Sequence, residues 1–155
     1  MKMTENFKII ASYIKDMSSE TVDASTHVFV RDRISKYQMN IDITSKAVKG
    51  GVVEVNLILK FTDKPEILKK SHFEITYSSI VKVDEKISDK KVMEKIILCD
   101  VPNKIYPNLE KIFINLLTDS GYPGIKLEKK VVKPSEAELE LHKEYLKNNL
   151  KKNFF

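Results

Sequence analysis

Residues 52–62 alternate between apolar and polar side chains. Val53, Val55, Leu57, Leu59 and Phe61 share one face, and Glu54, Asn56 and Lys60 share the other. A period of two is the signature of a half-buried antiparallel strand. Residues 71–84 repeat it, with Phe73, Ile75, Tyr77, Val81 and Val83 set against His72, Glu74, Thr76 and Lys82. A shorter run at 38–46 places Met39, Ile41 and Ile43 opposite Asn40 and Asp42. The first segment, 7–17, is less regular. Phe7, Ile9, Tyr13 and Met17 fall on one face, while Ile10 and Ile14 make the other partly apolar. Gly50-Gly51 supplies a tight turn between the second and third strands, and Asp63-Lys64-Pro65-Glu66 marks a longer reversal before the fourth. The stretch 18–37 shows no period and is expected to be a long connecting loop, a feature that often carries function.

The last third changes period. A short helix is predicted over about 89–98. A longer one over about 107–120 starts at Pro107 and repeats Leu109, Ile112, Phe113, Leu116 and Leu117 at three- and four-residue spacing. Gly121-Tyr122-Pro123-Gly124 ends it. A third helix is predicted over about 135–152, opened by the capping-box spacing of Ser135 and Glu138, with Leu139, His142, Leu146 and Leu150 along one stripe. Four strands followed by helices predict an α+β fold: one antiparallel sheet, a meander with a long crossover after its first strand, and two main helices packed on one side. No linker or repeat divides residues 1–155, so one domain is expected.

Composition removes several classes of function. Cys99 is the single cysteine, which excludes an internal disulfide framework and a cysteine-based zinc site. No apolar run approaches the length of a membrane helix, and the first residues, Met1-Lys2-Met3-Thr4-Glu5-Asn6, lack the apolar core of a signal peptide. A cytoplasmic location is the simplest expectation. Nucleotide-binding, hydrolase and zinc-protease motifs are missing. His27, His72 and His142 are scattered; His142 and Glu138 have helical i, i+4 spacing but no further ligand. Neither an enzyme nor a cofactor is expected. The net charge of +5 raises the possibility of a nucleic-acid partner. Only Arg31 and Arg33 are arginines, however, and specific base readers depend on arginine forks. From Lys129 onward there are seven lysines against four glutamates, so much of the surplus sits at the C-terminal end.

Several segments taken in order resemble the protein-export chaperone family SecB. Phe7-Lys8-Ile9, followed by Tyr13-Ile14-Lys15-Asp16-Met17-Ser18-Ser19-Glu20, looks like that family's first strand with its Y-x-K-D-[IL]-S-x-E motif. Val53-Glu54-Val55 and Phe73-Glu74-Ile75 are similar to its third and fourth strands. Pro102-Asn103-Lys104-Ile105-Tyr106-Pro107 is close to the P-N-x-L-F-P that opens its long helix, and Gly121-Tyr122-Pro123 to the motif that closes it. The resemblance runs from about residue 7 to residue 140.

The resemblance implies an ATP-independent holdase that binds unfolded preproteins in apolar grooves and passes them to the translocation ATPase SecA. It implies a homotetramer, a dimer of dimers with the long helix between dimers. On that basis the groove would be lined by Phe29, Met39, Ile41, Ile43, Tyr106, Tyr122, Ile125 and Leu127. Asp16, Glu20 and Glu74 would form the acidic patch that meets SecA. Leu109, Ile112, Phe113, Leu116 and Leu117 would form the oligomer interface. Neither direct membrane insertion nor nucleic-acid binding is implied. The competing readings are a SecB-like chaperone serving a toxin–antitoxin pair and a basic nucleic-acid-binding module. The family is usually acidic, and so is its tail. This chain is basic, and Lys143 to Phe155 carries four lysines and one glutamate before ending Asn153-Phe154-Phe155, which sets the tail's part in SecA contact apart from the family pattern.

Overall fold

The structure, a computed structural model, describes residues 6–127. The predicted helix at 135–152 and the terminal aromatic pair lie outside the described residues. Four strands, β1 (Phe7–Glu20), β2 (Gln38–Val48), β3 (Val52–Thr62) and β4 (His72–Val83), form one antiparallel sheet in the order β1-β4-β3-β2. The β2-β3-β4 run is a meander. The chain between β1 and β2 therefore has to cross from one edge of the sheet to the other.

The alternation of β3 and β4 translates directly into burial. Val53, Val55, Leu57, Leu59, Phe73, Ile75 and Val81 are at most 1% exposed. These residues form an inner face covered by helix α3 (Val101–Asp119). Leu109, Phe113 and Leu117 of α3 point into it and are fully buried. Phe113 meets Phe61 edge-on at 4.9 Å between ring centres, and Phe61 in turn packs near Phe73 and Tyr37. Edge-to-face pairs of this kind add to the burial of the rings themselves.

Three expectations are corrected. The first concerns β1. The strand carries two register shifts, between Ile9 and Ala11 and between Ile14 and Asp16. A bulge adds one residue on one strand and so reverses the facing of everything beyond it. Phe7, Ile9, Ile14 and Met17 pair with inner-face residues of β4, whereas Tyr13 and Asp16 pair with outer-face Ser78 and Thr76. The mixed pattern of 7–17 is thus one apolar face whose phase is shifted by the bulges.

The second concerns 18–37, which is no structureless loop. β1 continues to Glu20, helix α1 spans Ala24–Arg33, and a single tight turn covers Ile34–Lys36. Asp23 starts α1 by accepting the Thr26 amide at 2.8 Å, the usual role of an N-cap carboxylate. Within α1 only Thr26 and Val30 are buried. One buried position per turn, of which only Val30 is apolar, is too sparse to leave an amphipathic period.

The third concerns the long helix. It begins at Val101, with Pro107 inside it, and follows without a break from helix α2 (Lys90–Lys95) through a widened π turn, Ile96–Asp100. A proline in a helix donates no hydrogen bond, and its ring presses on the carbonyl four residues back. For Pro102 that carbonyl belongs to Leu98, inside the widened turn, which makes the room. The Asn103 side-chain amide donates to the Cys99 carbonyl at 2.7 Å in the same turn.

Candidate functional site

The outer face of the sheet faces away from the helices. In register, Ser18 of β1 lies opposite Glu74 of β4, with Asp16 and Glu20 two residues to either side. Asp16, Glu20 and Glu74 therefore share one face as diagonal neighbours. They are joined to a polar surface. The bulge residue Lys15 and the Tyr13 hydroxyl both donate to the Glu54 carboxylate at 2.8 Å. Lys15 first and Tyr13 second hold that carboxyl below its ordinary range. Lys60 lies opposite Glu74 on the β3 side. The acidic trio is thus flanked by lysines, and a small cleft of about 230 Å³ opens beside Asp16 between Thr44, Asn56 and Thr76.

On the helical side the proposed groove residues separate by accessibility. Ile41, Ile43, Tyr106 and Tyr122 are buried within the chain itself, at 8%, 5%, 5% and 2% exposure. Met39, Ile125 and Leu127 are half-buried at the margin of the core, and Phe29 is exposed on α1. Burial is also what pushes the Tyr106 hydroxyl up to about 12, so it stays protonated and directed at the Met39 sulfur, 3.9 Å away. Alternation identified Ile41 and Ile43 as inward-facing. It could not tell that the chain's own core would cover them.

The segments flanking α1 are tied to the Gly121-Tyr122 loop by polar contacts. The buried Ser71 hydroxyl contacts both the Tyr122 hydroxyl (2.8 Å) and the Thr21 hydroxyl (2.6 Å), and its amide donates to the Tyr37 hydroxyl at 3.0 Å. The His27 ring lies 4.7 Å from that of Tyr122. A β-carbon at Gly121 would sit 2.6 Å from His27, and the residue has φ +92°, so glycine answers both conditions. At the other end of α1, the Arg33 fork grips the buried Asp63 carboxylate with bonds of 2.7 and 3.0 Å. One of the two arginines is used where a bidentate partner is required.

Of the expected interface set, Leu109, Phe113 and Leu117 are fully buried against the chain's own sheet, which corrects their assignment to a contact between copies. Ile112 and Leu116 are only partly buried. A different apolar surface lies on the edge strand, where sequence pattern alone did not place one. Ile10, Ile14 and Met17 of the edge strand β1 are 53%, 44% and 46% exposed. Its only signal in the sequence is the apolar excess of residues 7–17, which the bulges conceal.

The model of the family described as preprotein translocase subunit SecB matches residues 1–130. The chain belongs to the SecB family. A putative protein-export protein SecB of Pelagibacter ubique is 78% identical over 129 residues, covering 83% of this chain and 92% of that protein. The protein-export protein SecB of Gluconacetobacter diazotrophicus is 28% identical, over 77% of this chain and 75% of its own length. Among solved structures, a Mycobacterium tuberculosis SecB-like chaperone in complex with a peptide from the HigA1 antitoxin superposes with a TM-score of 0.59 at 8% identity, covering 81% of this chain and 91% of that one. The SecB fold so shared is the four-stranded sheet with its crossover and helices, and the chain is a protein-export chaperone of the SecB family by these likenesses. Among the described residues no helix is long and apolar enough to cross a membrane.

Proposed function

We propose that the chain is an ATP-independent holdase of the cytoplasm that keeps preproteins unfolded and delivers them to SecA. The observation that carries the delivery step is the register of β1 on β4, which brings Asp16, Glu20 and Glu74 together on the open face of the sheet. Clients would be held on the other side, on Phe29, Met39, Ile125 and Leu127, the groove candidates that retain accessible surface. Met and aromatic side chains adapt to varied sequences, and binding only the unfolded client opposes its folding by mass action.

The two roles use different residues and can be separated. Changing Asp16, Glu20 and Glu74 together to lysine should weaken SecA binding about tenfold or more through like-charge contact. Delay of aggregation of an unfolded protein should be unaffected. Phe29→Asp with Leu127→Asp should show the reverse pattern. Unchanged SecA affinity in the triple variant would remove the delivery reading.

The holdase is proposed to be a homotetramer. β1 is an edge strand with unpaired backbone groups and three exposed apolar side chains, an arrangement that invites pairing with another chain. Ile112 and Leu116 supply the outward apolar positions of α3. Ile14→Lys with Met17→Lys should lower the mass in solution measured by light scattering. A mass equal to that of the unaltered protein would show that β1 is not an interface.

A further inference from the structure

Where β1 ends and the chain turns into α1, Val22 is 73% exposed, and Leu68 of the β3–β4 loop is 93% exposed. Both line a single pocket of about 250 Å³, together with Lys69, Lys70, His72 and Glu20. The volume suits one large aliphatic or aromatic side chain. Lys69 is fixed in place by its bond to the Ser25 hydroxyl of α1, at 2.8 Å. Two lysines against one glutamate give the rim a positive balance. Two exposed apolar side chains beside two lysines fit a ligand that is itself both apolar and anionic. The site lies apart from Phe29, Met39, Ile125 and Leu127, none of which lines it.

We infer that this pocket binds client segments in which a large apolar residue is flanked by Asp or Glu. The inference rests on the holdase reading and adds a client class to it. An apolar groove alone discriminates poorly, since every unfolded chain offers apolar side chains. A second site that pairs one apolar contact with lysines selects acidic-apolar stretches. It also gives the excess of lysine over arginine a use. Compact, flexible ammonium groups can follow carboxylates at varied positions without demanding fork geometry.

The test uses the full chain and labelled 12-residue peptides of alternating Leu and Asp, Leu and Lys, or Ser and Asp, followed by fluorescence anisotropy. The Leu/Asp peptide is expected to bind most tightly and to weaken with added salt. Leu68→Asp with Lys70→Glu should raise its Kd about tenfold, the loss of one buried aliphatic contact and one charge pair, with the Leu/Lys peptide unaffected. Circular dichroism checks that the variant folds; both positions lie at the surface. Equal Leu/Asp affinity in the variant and the unaltered protein would overturn the proposal. So would Ser/Asp binding as tight as Leu/Asp, because charge alone would then suffice. Glu136, Glu138 and Glu140 of the chain's own C-terminal segment alternate with Ala137, Leu139 and Leu141. If reversing those three glutamates to lysine is needed before the peptide binds, the pocket belongs to that segment, and the client proposal fails. The holdase reading is judged separately. Failure of the unaltered protein to delay aggregation of a neutral unfolded protein would sink that reading, whereas a variant that still delays it but loses the Leu/Asp peptide supports the pocket.

Discussion

Phe113→Ala should lower the stability of the fold by about 3–5 kcal/mol, the range for removing a large buried aromatic side chain. Phe113 has no exposed surface, sits at the middle of the α3 stripe, and meets Phe61 edge-on. Little can collapse into the space it leaves, because Phe61 is itself held by Tyr37 and Phe73. Domains of ordinary size have only about 5–15 kcal/mol in all, so the urea midpoint should fall far enough to be seen without ambiguity. Ile112, one residue away on the same helix, is only partly buried, and Ile112→Ala should cost much less in a dilute sample. The comparison should be made at two protein concentrations, since any assembly stabilises the fold by mass action. A Phe113→Ala effect below about 1 kcal/mol, within the range of surface substitutions, would mean that α3 does not seat on the sheet as described.

The contrast between Phe113 and Ile112 shows what could be read from the sequence and what could not. Strands β3 and β4 were legible residue by residue, because each alternates strictly between a covered face and an open one. Strand β1 was not, because each bulge reverses the phase and two bulges scramble a short pattern. The start of α3 was placed at Pro107 by the rule that prolines begin helices. The chain instead carries Pro107 inside one continuous helical run, in which a widened turn makes room for Pro102. α1 left no period because it is held by end contacts rather than by an apolar stripe. The candidate site divides in the same way. That Asp16, Glu20 and Glu74 face solvent follows from local pattern and family likeness. That they are neighbours depends on a register across 54 positions between Glu20 and Glu74, which no local pattern encodes. Ile41, Ile43, Tyr106 and Tyr122 were recognisable as apolar, but whether a helix or a client covers them is a tertiary fact. The same limit applied to Leu109, Phe113 and Leu117, which were correctly placed on an apolar face but wrongly assigned to a second copy.

Because α1 depends on its ends, the Arg33–Asp63 pair should govern both stability and client holding. The Asp63 side chain is 1% exposed and that of Arg33 21%, so removing the guanidinium leaves a buried carboxylate that still accepts the Lys64 amide at 2.8 Å but has lost its charged fork. Arg33→Ala should therefore cost about 2 kcal/mol at neutral pH, the order expected for stranding a buried charged acceptor. Arg33→Lys should recover only part of this, since an ammonium cannot reproduce the fork. The Arg33 guanidinium holds the Asp63 carboxyl below the ordinary range. A carboxyl depressed in the folded state contributes stability that is present above the unfolded value of about 4 and is lost as pH falls through the folded value. The unaltered protein should thus lose stability on acidification from this group, and Asp63→Asn should flatten that part of the profile. The gap between the unaltered protein and Arg33→Ala should narrow in acid, because the protonated carboxyl no longer needs the guanidinium. Thermal melts of the three proteins from about pH 3 to pH 7 would show it. Parallel melting curves across that range would mean that the pair does not govern the stability of this end of the fold. Function should follow the same residue. The Arg33 guanidinium also lies over the Phe29 ring, 6.0 Å from its centre, so loosening α1 releases the most exposed of the proposed client contacts. Arg33→Ala should delay aggregation less well than the unaltered protein at temperatures where both remain folded, whereas a change confined to melting temperature would assign the pair to stability alone.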